Sequence, residues 1–203
     1  MITLSSQKPC PANKGFTLIE MMIVVAMVAI LTTVAVVAYT KYIKSGKVTE
    51  AETFVSMIQA QQERYFQRFG QYCDVSSDGQ FYPQLAAPEP QAKNWDSIPA
   101  GWTALGLRPE NGHSYFAFFV RASDPTSDPP HPLDTTAAQL GIPSQPGADA
   151  GVPHPWYYIF AHADLSGDDG SYASGGCANA FEKCSVLVAT SSNPTIRVYN
   201  RGM

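Results

Sequence analysis

The stretch KGFTLIEMMIVVA, residues 14–26, decides the fold, because a polar segment with two lysines gives way here to a long apolar one. From Phe16 to Ala38 there are 23 residues, and few of them are polar: Thr17, Glu20, Thr32 and Thr33. As a helix this segment would extend roughly 35 Å, enough to cross the hydrocarbon core of a bilayer. The sequence therefore predicts a membrane-spanning helix over residues 16–38.

The apolar segment differs from a secretory signal peptide in its length and in the residues at its end. Such peptides have an apolar stretch of about 7–15 residues and a small-residue cleavage site after it. Here the stretch is longer, and Ala38 runs into Tyr39, Thr40 and Lys41 instead of such a site. We therefore expect the apolar helix to be retained in the mature protein.

Glu20 is the one charged residue of the apolar segment. A carboxylate inside a membrane span costs about 2.5–3.5 kcal/mol on insertion scales, so an intramembrane acid suggests a functional site. A second interpretation is that Glu20 lies close enough to the helix end to reach the interface. The residue alone leaves both interpretations open.

The string GFTLIE, residues 15–20, resembles the cleavage and methylation signature of type IV prepilins. The resemblance is most specific from Lys14 to Val36. It implies that residues 1–15 are a leader peptide, that a prepilin peptidase cuts between Gly15 and Phe16, and that Phe16 is then N-methylated. Glu20 becomes the fifth residue of the mature chain.

The same resemblance implies how the subunit assembles. The new amino group of Phe16 would be costly in an apolar filament core, and Glu20 of a neighbouring subunit would supply the opposite charge that sets the register. The implied partners are other pilin subunits, the prepilin peptidase, an inner-membrane assembly platform and, before assembly, the membrane. The implied location is the bacterial inner membrane for the precursor and the cell-surface filament afterwards.

Two positions depart from a common pilin pattern. Many pilins have a glycine at the position of Ala29 and a proline at the position of Val37, and these residues weaken the helix. This chain has neither, so we expect a straighter and more continuous helix.

Residues 39–69 continue the helix with a single apolar stripe, and Gly70 comes next as a helix C-cap. One helix over residues 16–69, roughly 80 Å long, would thus anchor at its start and pack against a domain at its end. The stripe consists of Val48, Ala51, Phe54, Val55, Ile58, Gln62, Tyr65, Phe66 and Phe69.

Residues 70–203 are predicted to form a globular head domain. Four runs rich in Val, Ile, Phe and Tyr predict strands that form an antiparallel sheet on the helix stripe. This arrangement is an α+β fold, and the resemblance to pilins implies the same one. Trp95 and Trp102 are expected to be core or rim anchors. A proline-rich segment over 124–155, with eight prolines, predicts a long surface loop. The predicted strands are Ser114–Ala122, Trp156–Ala163, Ser185–Thr190 and Thr195–Tyr199.

Three cysteines remain once Cys10 is removed with the leader. Cys177 and Cys184 enclose a short loop that a disulfide could close, as expected in an oxidising compartment. Cys73 is either free or paired with one of these two. Lysines flank the apolar span on both sides, so charge alone does not place the head; the leader signature and the cysteine loop favour a head outside the cytoplasm.

Metal, cofactor and catalytic sites have weak support. Asp164, Ser166 and Asp168 imitate the start of a calcium loop, but an EF-hand would need a glycine and a glutamate where this chain lacks them, which favours a polar turn. The histidines, at positions 113, 131, 154 and 162, have no zinc-ligand spacing. No catalytic motif is present, so we expect neither an enzyme nor a cofactor.

The charge distribution argues against a nucleic-acid surface. The formal net charge is −4, without a block of lysine and arginine. The resemblance to type IV prepilins makes a major or minor subunit of a type IV pilus the leading hypothesis. The alternatives are a pseudopilin of a type II secretion or DNA-uptake system and, more distantly, a membrane-tethered extracytoplasmic binding protein. The sequence leaves the filament's biological role open.

Overall fold

The computed structural model describes residues 15–77, 79–83, 91–123, 155–165 and 184–201. The chain divides into two compact units, Met1–Thr40 and Lys41–Met203. All of the predicted loop 124–155 except Pro155 lies outside the described residues.

Helix α1, Leu18–Phe69, is unbroken over 52 residues. The predicted continuity is confirmed, although the helix begins two residues later than expected, because Thr17 serves as its N-cap. Within the first unit the helix is exposed and apolar on all sides, and its length and hydropathy are sufficient to cross a membrane. Hydroxyls of Thr32 and Thr33 donate to the carbonyls of Val28 and Ile30 at 2.7 Å, so they are satisfied inside the helix.

Among the described residues, the head contains two antiparallel sheets and a short helix. Strands β1 and β2 form a two-stranded sheet, and β3, β4, β5 and β6 form a four-stranded sheet in sequence order. The α+β architecture predicted from the sequence is confirmed. The elements are β1 Lys93–Asn94, α2 Ala100–Leu105, β2 His113–Ser114, β3 Ala117–Ser123, β4 Trp156–Ala163, β5 Ser185–Thr190 and β6 Arg197–Tyr199.

Strands β4 and β5 have the predicted bounds, whereas the first and last predicted strands differ. The Ser114 hydroxyl accepts the Phe116 N–H at 3.1 Å, and this turn separates β2 from β3. The Asn193 side chain accepts the Thr195 N–H at 3.1 Å, so the chain is still in a turn there and β6 begins only at Arg197.

The main core lies between the helix stripe and one face of the four-stranded sheet. Val48, Val55 and Ile58 of α1 are fully buried, as are Phe118 and Ile159 of the sheet. Gln62, also buried, holds the chain beyond the helix end: its Oε1 accepts the Cys73 N–H and its Nε2 donates to the Cys73 carbonyl, both at 2.8 Å. The predicted stripe is thus confirmed as core packing from Val48 to Gln62, whereas Phe69 at its end is exposed.

Aromatic rings fill the part of this core that contacts α2. Trp95 and Trp102 are each 1% exposed and meet edge-on with ring centroids 5.0 Å apart. Phe54 of α1 contacts Trp95 at 5.4 Å and Phe118 at 4.7 Å. Both tryptophans are therefore core anchors, as expected.

The second face of the four-stranded sheet is also buried. Every residue of β4 and β5 is buried, whereas an antiparallel sheet with one solvated face would alternate. This face forms a second cluster around Phe119, Trp156, Tyr158 and Phe160.

The outer edge of β3 is covered by an earlier part of the chain. Tyr82 and Phe118 exchange backbone hydrogen bonds of 2.9 and 2.8 Å, and the Ser76 N–H donates to the Val120 carbonyl at 2.9 Å. At the other edge, β6 is only three residues long. Short or covered edges limit pairing with other chains.

Candidate processing and assembly site

The predicted cleavage bond lies immediately before the helix. Gly15, Phe16 and Thr17 are not helical, and the Phe16 side chain is 79% exposed. A peptide bond outside regular structure is accessible to a protease without unfolding of the helix. The position of the bond is therefore compatible with the predicted cut between Gly15 and Phe16.

Thr17 and Glu20 form a reciprocal cap at the start of α1. The Thr17 N–H donates to Glu20 Oε2 at 2.8 Å, the Thr17 hydroxyl donates to the same oxygen at 2.6 Å, and the Glu20 N–H donates to the Thr17 hydroxyl oxygen at 3.3 Å. This is the capping-box arrangement of Thr at the N-cap and Glu three residues later. Sequence reasoning missed it, although the pattern Thr17-x-x-Glu20 before an apolar run is its signal.

The capping box explains how the Glu20 carboxylate is held in the single chain. The carboxylate lies in the first helical turn, where the helix dipole favours negative charge. Both of the hydrogen bonds that the Glu20 carboxylate accepts from Thr17 go to the same oxygen, Oε2. Because a carboxylate has further lone pairs on its other oxygen, Glu20 can cap its own helix and still accept a hydrogen bond from a cationic group.

The cysteines of the head occupy different environments. Cys73 is a free thiol, 7% exposed, and burial, together with the neighbouring Asp74 carboxylate, raises the pKa of its thiol. Cys184 is fully buried immediately before β5. Cys177 lies outside the described residues, so the Cys177–Cys184 disulfide stays a prediction.

The calcium prediction falls mostly outside the described residues. Asp164 comes directly after β4 and is 4% exposed, whereas Ser166 and Asp168 are not described. Within the ranges that the structure describes, no cluster of three or more His, Cys, Asp or Glu side chains is arranged to hold a metal. Of the histidines, His162 is buried in the sheet and His113 is on β2, while His131 and His154 lie in the undescribed loop.

The comparisons with known proteins agree with this N-terminal site. The family model of the prokaryotic N-terminal methylation motif matches residues 10–36. The chain is 36% identical over 74 residues to the type IV major pilin protein PilA of Myxococcus xanthus, a match that covers 36% of this chain and 34% of the relative. It is 55% identical over 42 residues to a fimbrial protein of Moraxella nonliquefaciens, covering 21% of this chain and 27% of the relative.

The matched segments span about a third or less of each curated relative. No solved structure matches the chain. Over these segments the chain is similar to a type IV major pilin and to a fimbrial protein, and it carries the methylation motif at the start of a long helix that packs on an antiparallel sheet.

Proposed function

We propose that this protein is a structural subunit of a bacterial type IV pilus, assembled through α1 after cleavage before Phe16 and methylation of that residue. The observation that carries the proposal is the methylation motif over residues 10–36, which extends into the exposed apolar first part of α1. The proposed organisation is a leader over 1–15, a helix over 16–69 and a head over 70–203.

The exposed start of α1 supports assembly through the helix. Between Phe16 and Tyr42 most large apolar side chains are more than half exposed, a surface that water does not tolerate on a soluble monomer. A bilayer covers this surface in the precursor, and a bundle of identical helices covers it in a filament. The same surface therefore serves both states without refolding of the head.

The proposed pairing between subunits joins the Phe16 amino group of one copy to the Glu20 carboxylate of another. Cleavage and methylation leave a secondary ammonium with two N–H donors, and Glu20 retains an oxygen that the capping box does not use. In an apolar surrounding each charge would be costly alone, so the pair favours one register of neighbouring subunits.

The proposed partners and location derive from leader cleavage followed by assembly through α1. The prepilin peptidase would act on the Gly15–Phe16 bond, and an assembly platform of the inner membrane would receive the processed subunit. The head would lie outside the cytoplasm, where a Cys177–Cys184 disulfide could form. A structural role of this kind needs no catalytic group.

The first test uses filaments sheared from the cell surface, with intact-mass and N-terminal peptide analysis of the protein they contain. The expected result is a chain that begins at N-methylated Phe16 in the sheared fraction. A processed chain found only in membranes would favour the pseudopilin alternative. An unprocessed chain beginning at Met1, in a strain with an active prepilin peptidase, would overturn the proposal.

Two substitutions separate the charge of Glu20 from its capping role. Glu20→Gln keeps a side chain that can complete the capping box but removes the negative charge, whereas Thr17→Ala removes the cap and keeps the charge. We expect Glu20→Gln to insert into membranes normally and to lose filaments, and Thr17→Ala to retain most of them. Normal filaments from Glu20→Gln would contradict the charge-pairing step while leaving the pilin assignment intact.

A further inference from the structure

A groove opens on the head between α1 and the segment that precedes β3, with a cavity volume of about 240 Å³. Its base is apolar and buried, formed by Ala51, Phe54, Phe116 and Phe118. Pockets for drug-sized ligands usually measure about 300–1,000 Å³. The size of this groove therefore suits a single large side chain better than a cofactor.

The rim of the groove carries an excess of negative charge. Glu50 and Glu110 are both exposed on it, and neither has an ion-pair partner among the described residues. Lys47 also lines the groove, but its ammonium lies 3.9 Å from the centroid of the Tyr115 ring. An apolar base with acidic groups at its mouth favours an apolar side chain that is accompanied by a cation.

The far end of α1 presents a group of this chemistry. Phe69, the last residue of the helix, is 54% exposed. The guanidinium of Arg68 lies 5.3 Å from the centroid of the Phe69 ring, and Tyr65 packs against the ring at 4.5 Å. These contacts fix the ring before any partner binds, which reduces the entropic cost of docking.

We propose that Phe69 of one copy docks in the groove of a second copy, with Arg68 facing Glu50 and Glu110. This inference rests on the proposed pilus function and names one contact between the heads. Groove and ring are different surfaces of the same chain, and such heterologous contacts generate open filaments when they do not close into a ring.

The spacing of the two surfaces supports an extended assembly. Ala51 and Phe69 are both in α1, about 27 Å apart at 1.5 Å per residue. The copy whose Phe69 is docked keeps its own groove free, and the copy that receives it keeps its own Phe69 free, so further copies can join at both ends. The same distance prevents Phe69 from reaching the groove of its own chain.

The test is chemical cross-linking of sheared filaments from a strain that carries Arg68→Cys and Glu110→Cys in the same chain, treated with a short bis-maleimide. Both positions are exposed, and Phe69 itself stays intact. Because every copy carries both thiols, the proposed contact yields a ladder of covalent multimers. The buried Cys73 does not contribute, and either single variant yields no ladder.

The matched control replaces Arg68→Cys with Gln67→Cys, an exposed position about 100° away around the same helical turn. Cross-linking should then fall to the level of the single variants. A ladder of equal strength from the control would indicate non-specific reaction and would overturn the contact.

Charge reversal gives a second readout. Arg68→Glu and Glu110→Arg should each lower the yield of sheared filaments by about fivefold or more, and the double variant should recover most of the yield. Equal amounts of subunit in the membrane fraction show that the variants fold. If the double charge variant does not recover the filament yield and the double-cysteine variant gives no ladder, the inference is wrong.

The outcomes distinguish the two proposals. Wild-type filaments without the ladder would overturn the head contact and leave the pilus function standing. Cross-linking of the Glu110→Cys variant only to a different protein would show that the groove takes another subunit, which also overturns docking of a second copy. A chain that never enters filaments would overturn the proposed function and this contact with it.

Discussion

At the residue scale, His162 shows how burial changes the chemistry of a side chain. It lies on β4 with its ring centroid 4.3 Å from that of Phe81 and 5.7 Å from that of Phe160. Desolvation by burial lowers the pKa of His162 from 6.5 to about 3. The folded head therefore keeps this imidazole neutral at acidic pH, although the unfolded chain would protonate it.

This difference predicts an acid-dependent loss of stability. Above pH 6.5 the histidine is neutral in both states, and between pH 6.5 and about 3 only the unfolded state binds the proton, so stability falls as the pH falls. At pH 5 the loss from this residue is about 2 kcal/mol. Thermal or urea unfolding of the detergent-solubilised protein at pH 7 and pH 5 measures it.

His162→Phe should reduce the pH dependence between those two conditions, because a phenyl ring fits the aromatic surroundings and does not titrate. His113→Gln is the matched control, since His113 lies on β2 outside this cluster. An unchanged pH dependence in His162→Phe would show that other groups cause the acid sensitivity.

At the scale of the elements, two helical glycines illustrate opposite constraints. Gly101 lies in α2, and a Cβ built there would be 2.2 Å from the Val75 carbonyl oxygen. Gly46 lies inside α1 with nothing within 4 Å of a built Cβ. Close packing therefore requires a glycine in α2 at position 101. No neighbouring atom requires a glycine in α1 at position 46.

The two alanine substitutions should change stability in opposite directions. Gly101→Ala must displace backbone, and we expect a loss of about 3 kcal/mol. Gly46→Ala should stabilise the helix by about 0.5–1 kcal/mol, because alanine loses less conformational freedom on folding. Thermal unfolding of both variants under one set of conditions checks the signs, and a neutral Gly101→Ala would refute the close packing against Val75.

The elements also show what the sequence could predict. Helix α1 and strands β4 and β5 were predictable because each is an apolar or periodic run with clear ends. The starts of β3 and β6 were not, because single hydrogen bonds that the side chains of Ser114 and Asn193 accept hold the chain in turns. For the candidate site, the motif indicated Phe16 and Glu20, whereas the hydrogen bonds that Thr17 makes to Glu20 required coordinates.

At the scale of the whole molecule, the thiols report on how the protein is held together. We infer that Cys177 and Cys184 form a disulfide, since Cys73 is free and Cys10 would leave with the leader. Alkylation of the processed native protein should be slow. Denaturation without a reductant should expose one thiol, and subsequent reduction should expose two more.

Intact mass after each alkylation step gives the count directly. Cys73→Ser is the matched control, because it should leave no reactive thiol in the denatured, unreduced protein. Three reactive thiols before reduction, in protein prepared from the cell surface, would contradict the disulfide.

The covered edge of β3 affects how the heads behave when many copies are close together. Copies of a head crowded together could join strand to strand and grow into an amyloid-like aggregate. Tyr82 and Ser76 already occupy the hydrogen-bonding groups of Phe118 and Val120, and the opposite edge offers only three residues. With strand addition blocked along β3, heads can be packed densely without fusing.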